Sequence, residues 1–317
     1  MNKTALITGI NGFVGKYLAE HLLAHGRIVH GIDVQDATVI PGVGYTRVDI
    51  CDMVAMQNLV SAVKPDELYH LAAVSSPSGF HRTPYSSFQI NIMGTIAVFE
   101  SMRIAVPHAV LLVVGSAKQY QCYGEEMPLR ETSIQNPASF YGISKYTAEI
   151  LGRYYVKEYA LDIRFTRSFN HTGPGQASDF VVSDWSRQVA GIVLGQHKPE
   201  INVGDTSASI DFTDVRDVVR AYRMILESGA AGESYNVCSG KAVPLKYILD
   251  YLKKKCSVPV EVKIQTQKAA KSMAPGISVV GDTEKIYTSV GWKPEVSIET
   301  TLDDTCVWWV SALKSEQ

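Results

Sequence analysis

Thr4-Ala5-Leu6-Ile7-Thr8-Gly9-Ile10-Asn11-Gly12-Phe13-Val14-Gly15 passes from an apolar run into a glycine-spaced turn, and then into an amphipathic pattern that reaches residue 25. A strand that hands a glycine turn to the first turn of a helix makes a cradle for a diphosphate. Gly9 permits the tight turn, Gly12 lets backbone N–H groups approach a pyrophosphate, and Gly15 lets the helix lie close on the strand. The positive end of the helix then faces the phosphates. Phe13 and Val14, inside the same run, join the glycines as candidate cofactor residues. The spacing is G-x-x-G-x-x-G, not G-x-G-x-x-G, and a dinucleotide is the expected ligand.

Outward from this turn, strand-like runs at 4–8, 28–33, 45–48, 67–71, 109–115 and 162–168 alternate with helical stretches near 13–25, 53–63, 85–105 and 139–160. That rhythm predicts an α/β fold, a doubly wound parallel sheet with ligands beyond the carboxyl ends of its strands. After about residue 170 the rhythm breaks into the turn-rich Asn170-His171-Thr172-Gly173-Pro174-Gly175-Gln176. A helix from near Asp179, the segment Ile201-Asn202-Val203-Gly204, a helix near 214–228, a strand at 235–238, a helix near 244–255 and a strand near 259–264 follow. The expected division is 1–170 for the dinucleotide and 171–317 mainly for a smaller substrate lobe, interleaved with returns to the main sheet.

The bulk numbers fit a soluble globular protein: 317 residues, 46% hydrophobic, 20% charged, formal net charge -2. Nothing in them favours nucleic acid or an anionic membrane as partner. Five scattered cysteines without C-x-x-C pairs read as reduced thiols in a cytoplasmic protein, with no metal site. The short, polar-interrupted amino-terminal run is neither a signal peptide nor a membrane span.

Asp33 ends the second strand at the offset where a carboxylate meets the adenosine ribose and repels a 2′-phosphate. With no arginine close behind it, NAD(H) is favoured and NADP(H) remains open. Asp49 and Ile50 after the third strand are candidates for the adenine edge. Leu71, Ala72 and Ala73 after the fourth would line the middle of the cofactor.

Tyr141-Gly142-Ile143-Ser144-Lys145 sets a phenol and an ammonium four apart, on one helical face. A neighbouring cation is expected to lower the phenol's pKa toward a working range. The spacing alone proves little, since Tyr251 and Lys255 repeat it. Ser116 adds weight: it follows the apolar run 110–115 and sits where a hydroxyl can meet a substrate carbonyl.

Together these motifs resemble the extended short-chain dehydrogenase/reductase family, whose members act on nucleotide sugars. The matches are residues 8–15, His70-Leu71-Ala72-Ala73, Asn91, Gly94-Thr95, Ser116 and Tyr141 to Lys145. The resemblance implies a Rossmann-like fold, Tyr141 as the proton-exchanging residue, and Lys145 binding the nicotinamide ribose as well. In the second half, Phe169 to Gln176, Phe180-Val181, residues 211–222, 235–240 and Gly291-Trp292-Lys293-Pro294 look like the branch that reduces GDP-linked 4-keto-6-deoxy sugars. By that resemblance Asn170, Phe180 and Val181 would line the sugar diphosphate.

The chain departs from the family pattern in three places. Relatives that dehydrate carry an acid just after the catalytic Ser/Thr, whereas here Ala117-Lys118-Gln119 follow Ser116. Glu125 and Glu126 further on read as solvated loop. Ile210 stands where an arginine is expected before Asp211, and Lys271 stands for another, replacing its fork only in part.

The expected activity is NAD(P)H-dependent reduction of a C4 ketone on a nucleotide-linked sugar. A 4-epimerase or C4 dehydrogenase with tightly held NAD is the alternative. A dinucleotide-sensing regulator is a third reading, disfavoured because Ser116, Tyr141 and Lys145 are all present. The family habit implies a homodimer through the helices near 85–105 and 139–160.

Overall fold

The computed structural model describes residues 2–75, 83–121, 126–265 and 278–315. In the first half β1 (Thr4–Thr8), α1 (Phe13–Ala24), β2 (Ile28–Asp33), β3 (Gly44–Arg47), α2 (Met53–Val63) and β4 (Glu67–His70) follow one another. Next comes α3, in which Pro84–Phe88 and Thr95–Ala105 are joined by a π-helical turn, Gln89–Gly94. Then β5 (Val110–Ser116), α4 (Phe140–Tyr159) and β6 (Asp162–Ser168) complete the alternation. Local chemistry sets the helix starts. Asp52 accepts the Ala55 N–H at 3.0 Å to cap α2, and Ser139 accepts the Gly142 N–H at 3.1 Å to cap α4. Each such cap stabilises by about 1 kcal/mol.

The main sheet runs β3-β2-β1-β4-β5-β6-β10, where β10 (Ser234–Val237) returns from the second half. Every neighbouring pair in it is parallel. The order reverses between β1 and β4, which opens a crevice beyond their carboxyl ends. One face is covered by α1, α6 (Val215–Ser228) and α8 (Glu284–Val290), through Leu18, Leu22, Val218, Tyr222 and Ile286. The other carries α2, α3 and α4, through Met56, Val60, Val98, Phe99 and Leu151.

The remaining elements gather around a separate apolar cluster. They are α5 (Val181–Val193), β8 (Glu200–Val203), β9 (Ser209–Asp214), α7 (Leu245–Lys253), β12 (Glu261–Ile264) and α9 (Ile298–Ser315), with Trp185, Ile201, Phe212, Ile248 and Leu302 inside. β8 pairs with β12, and β9 pairs with β7 (Asn170–Thr172), β11 (Ala242–Pro244) and β13 (Ser278–Val279). The turn-rich stretch after 170 therefore contains a strand. Its partner lies forty residues on, so no local pattern announces it. α9 was likewise not anticipated, since only Thr301, Leu302, Thr305 and Cys306 of its length are buried. No helix among the described residues is long and apolar enough to cross a membrane.

Candidate active site

The glycine turn closes as its spacing requires. Gly9 takes φ +72°, and a Cβ there would lie 2.8 Å from the Ala72 Cα. A Cβ on Gly15 would lie 2.4 Å from the Gly9 carbonyl oxygen, so any side chain at 15 would lift α1 off the turn. Gly12 caps α1 without a side-chain hydrogen bond, which leaves the first-turn amides to an anion. The cradle fits a dinucleotide diphosphate.

Asp33, at the end of β2, accepts the Asn11 N–H at 3.2 Å and the Val34 N–H at 2.8 Å. Phe13 leads α1, stacked parallel to His171 at 6.4 Å, and Val14 packs on the core behind it. Leu71, Ala72 and Ala73 follow β4, where the Ala72 N–H donates to Thr8 Oγ1 at 3.1 Å. The adenine-edge residues divide: Asp49 is exposed and accepts the Cys51 N–H at 2.9 Å, whereas the Ile50 side chain is buried against Gly94. Only the Ile50 backbone can therefore face a ligand.

Ser116 ends β5, and Tyr141 and Lys145 lie on the first turns of α4. Tyr141 is hydrogen-bonded with the Ser116 side chain. Ser116 Oγ also accepts the Lys118 N–H at 3.2 Å. Lys145 Nζ donates to the Val114 carbonyl at 2.8 Å and lies 6.0 Å from the Tyr141 ring centroid. The phenol does not move as its spacing from Lys145 suggested. Burial pushes Tyr141 up to about 12, against a smaller lowering by Ser116. The ammonium is turned to a β5 carbonyl, and burial brings Lys145 down to about 8. At neutral pH the pair is a protonated phenol beside a cation.

Behind them, Asn91 in the π turn accepts the Val74 N–H at 2.8 Å and donates to Ser144 Oγ at 3.0 Å. His70 bonds Thr8 Oγ1 and Thr95 Oγ1, each at 2.8 Å. Burial and, second, the Lys145 charge hold His70 neutral, down to about 3. These supports sit inside motifs the sequence showed, but their contacts join distant segments.

Asn170 shares a small cavity with Ser116, Lys118, Ser168 and Val279. Phe180 caps α5 and Val181 begins it. Ile210 is buried in the apolar cluster of the second half and supplies no charge. Lys271 lies outside the described residues, as does Glu125, while Glu126 is exposed. The second Tyr-x-x-x-Lys pair is a surface knot: Tyr251 Oη donates to Asp303 at 2.9 Å, and Lys255 pairs with the same carboxylate at 2.5 Å.

The GDP-mannose 4,6 dehydratase family model matches residues 6–305. A GDP-6-deoxy-D-mannose reductase of Pseudomonas aeruginosa is 30% identical over 100% of both chains. The solved structure of RMD from Pseudomonas aeruginosa complexed with NADPH superposes with TM-score 0.87 at 29% identity, covering 98% of this chain and 100% of that one. A putative epimerase from Burkholderia cenocepacia matches with TM-score 0.85 at 30% identity, covering 99% and 98%. With that model spanning nearly the whole length, the chain belongs to the GDP-mannose 4,6 dehydratase family of extended short-chain dehydrogenase/reductases.

Proposed function

We propose that the protein uses NAD(P)H to reduce the C4 ketone of a GDP-linked 4-keto-6-deoxy sugar. The carrying observation is Ser116, Tyr141 and Lys145 assembled at one strand end, with Ala117 and Lys118 where a dehydrating site would hold its acid. The end-to-end relative supports the same activity. The nicotinamide, when bound, supplies the hydride. Tyr141, protonated at neutral pH, gives its proton to the C4 oxygen. Ser116 accepts from the Lys118 N–H, so its own hydrogen can point at that oxygen. Lys145 stabilises the phenolate left behind and binds the nicotinamide ribose. Asn170, Phe180 and Val181 hold the sugar diphosphate, and residues 171–317 form most of that lobe.

A cavity of about 320 Å³ between α5 and β8, lined by Asp184, Arg187, Gln188, Lys198 and Asn202, suits the base. A carboxylate can accept from the N1 and N2 hydrogens of guanine, and a guanidinium can donate to O6. The test is a screen of GDP-, UDP-, dTDP- and CDP-linked sugars, in 4-keto and 4-hydroxy forms, with and without added NADH or NADPH. Stoichiometric cofactor oxidation with a GDP-sugar is expected. Sugar isomerised without net cofactor change would make it an epimerase instead.

Asp33 favours NADH, but the fold brings in an arginine that the local sequence does not. Arg47 is the register partner of Asp33 across β2 and β3, and it pairs with Asp36 at 2.7 Å. Arg47 can meet a 2′-phosphate once Asp36 releases it, so both cofactors are used. Arg47→Ala should lower kcat/KM for NADPH by roughly tenfold or more and leave NADH within about twofold. Asp36→Asn should raise it for NADPH.

The exposed faces of α3 and α4 carry Met93, Ile104, Ile143, Ile150 and Tyr154. They support a homodimer built by pairing these helices. Light scattering should give twice the chain mass, and Ile150→Asp should give monomers.

A further inference from the structure

Gln119 occupies the end of the short 3-10 turn Ala117–Gln119 that follows the catalytic serine, and its side chain is fully buried. Both ends of its amide are used. Oε1 accepts the Ser116 N–H at 2.8 Å, and Nε2 donates to Glu149 Oε2 at 2.7 Å. The backbone makes room for it: a Cβ on Gly115 would lie 2.5 Å from Gln119 Oε1 and 2.2 Å from the Thr166 carbonyl oxygen.

Glu149 is the third member of a helical row that begins with Tyr141 and Lys145, spaced by four residues each time. Its Oε1 accepts Arg167 Nη2 at 2.7 Å, Ser234 Oγ at 2.8 Å and Arg153 Nη2 at 3.1 Å. One carboxylate therefore binds β6, β10 and its own helix, and the Gln119 amide extends that anchor to the end of β5. Ser116 rides on one side of this junction, Tyr141 and Lys145 on the other.

We propose that Gln119 is a positioning residue, which sets Ser116 against Tyr141 by linking the Ser116 backbone to Glu149 of the catalytic helix. The inference rests on the reductase reading of the Ser116, Tyr141 and Lys145 site. Hydride transfer needs the serine hydroxyl and the phenol on one carbonyl oxygen at once. A displacement of about 1 Å at such a site costs on the order of a hundredfold in rate. A leucine at 119 fills the volume, but it takes the acceptor from the Ser116 N–H and the donor from Glu149.

Two variants test this, each measured for single-turnover hydride transfer and for NAD(P)H affinity. Gln119→Leu should lose between about tenfold and a hundredfold in kcat, with cofactor affinity within about twofold. Gln119→Glu carries the finer test. When neutral, its carboxylic acid reproduces both hydrogen bonds of the amide; when ionised, it sets two carboxylates against each other. The charged and titratable groups around it are Lys145, Glu149 and Arg153 of α4, Arg167 of β6, and Tyr120 and Glu131 of the segment after β5. Its kcat relative to the native enzyme should rise as pH falls from about 9 to about 6. Packing alone would give no such recovery. Gln119→Leu within about twofold of native kcat, or a flat Gln119→Glu ratio, overturns the inference. A native enzyme that reduces no keto sugar would overturn the reductase reading itself.

Discussion

Tyr141→Phe lowers kcat for keto-sugar reduction by about 10²–10⁴-fold, the range of a positioned proton donor, while NAD(P)H affinity stays within about twofold. The size follows from what remains. Ser116 can still polarise the carbonyl and the cofactor can still bind, but the alkoxide formed at C4 must take its proton from water. Phe keeps the ring's packing near Lys145, so the loss falls on kcat and not on folding. The pH dependence carries a second signature. Burial holds Tyr141 at about 12, so the donor is charged with its proton throughout the neutral range. Lys145 titrates first, at about 8, because burial disfavours its cation. Its charge is present below that value and lost above it. The kcat/KM for cofactor, which reports the free enzyme, should therefore decline as pH rises through about 8. A native kcat in Tyr141→Phe would remove the proton donor from the mechanism.

The glycine turn and the strand-end residues were legible because they are local. Gly9, Gly12 and Gly15 each meet a backbone constraint set within a few residues or at the next strand end, so their spacing states the geometry. The six strands before residue 170 were equally plain, each a short apolar run between turns. What the sequence hid is set by partners far along the chain. Arg47 stands beside Asp33 only because β3 pairs with β2 in a particular register. β7 exists because β9 pairs with it. Ile50 sits at a strand end, as a ligand-facing residue should, but Gly94 of α3 offers its side chain a hole in the core. The Tyr141 phenol differs for another reason. Spacing along a helix fixes that Lys145 is near, but not where its ammonium points, and the Val114 carbonyl takes it.

The buried polar anchor behind the site predicts the largest effect on stability. Arg167 and Glu149 side chains are each 4% exposed and 2.7 Å apart. Arg167 also donates to Tyr120 Oη at 3.0 Å and to the Glu131 carbonyl at 2.8 Å. Arg167→Met keeps much of the volume and removes the charge, which leaves Glu149 buried against Gln119 and Ser234. Arg153 remains at 3.1 Å, but it is 44% exposed and compensates only in part. Breaking one half of a buried pair costs about 3–5 kcal/mol, enough to lower Tm by about 5–8 °C in a chain of this length. The sign with pH separates this cause from lost packing. In the native protein burial raises Glu149, but hydrogen bonds and charge from Arg167 outweigh it and hold the carboxyl at about 2. That stability is complete above the ordinary carboxylate range and is lost as pH falls toward 2. Without Arg167 the burial dominates and the carboxyl rises above its ordinary value, so the variant loses stability as pH climbs through that range. The gap between the two melting temperatures should thus widen from about pH 4 to about pH 7. A gap that stays constant would assign the loss to packing, and one below about 2 °C at neutral pH would show that the pair contributes little beyond what methionine packing replaces.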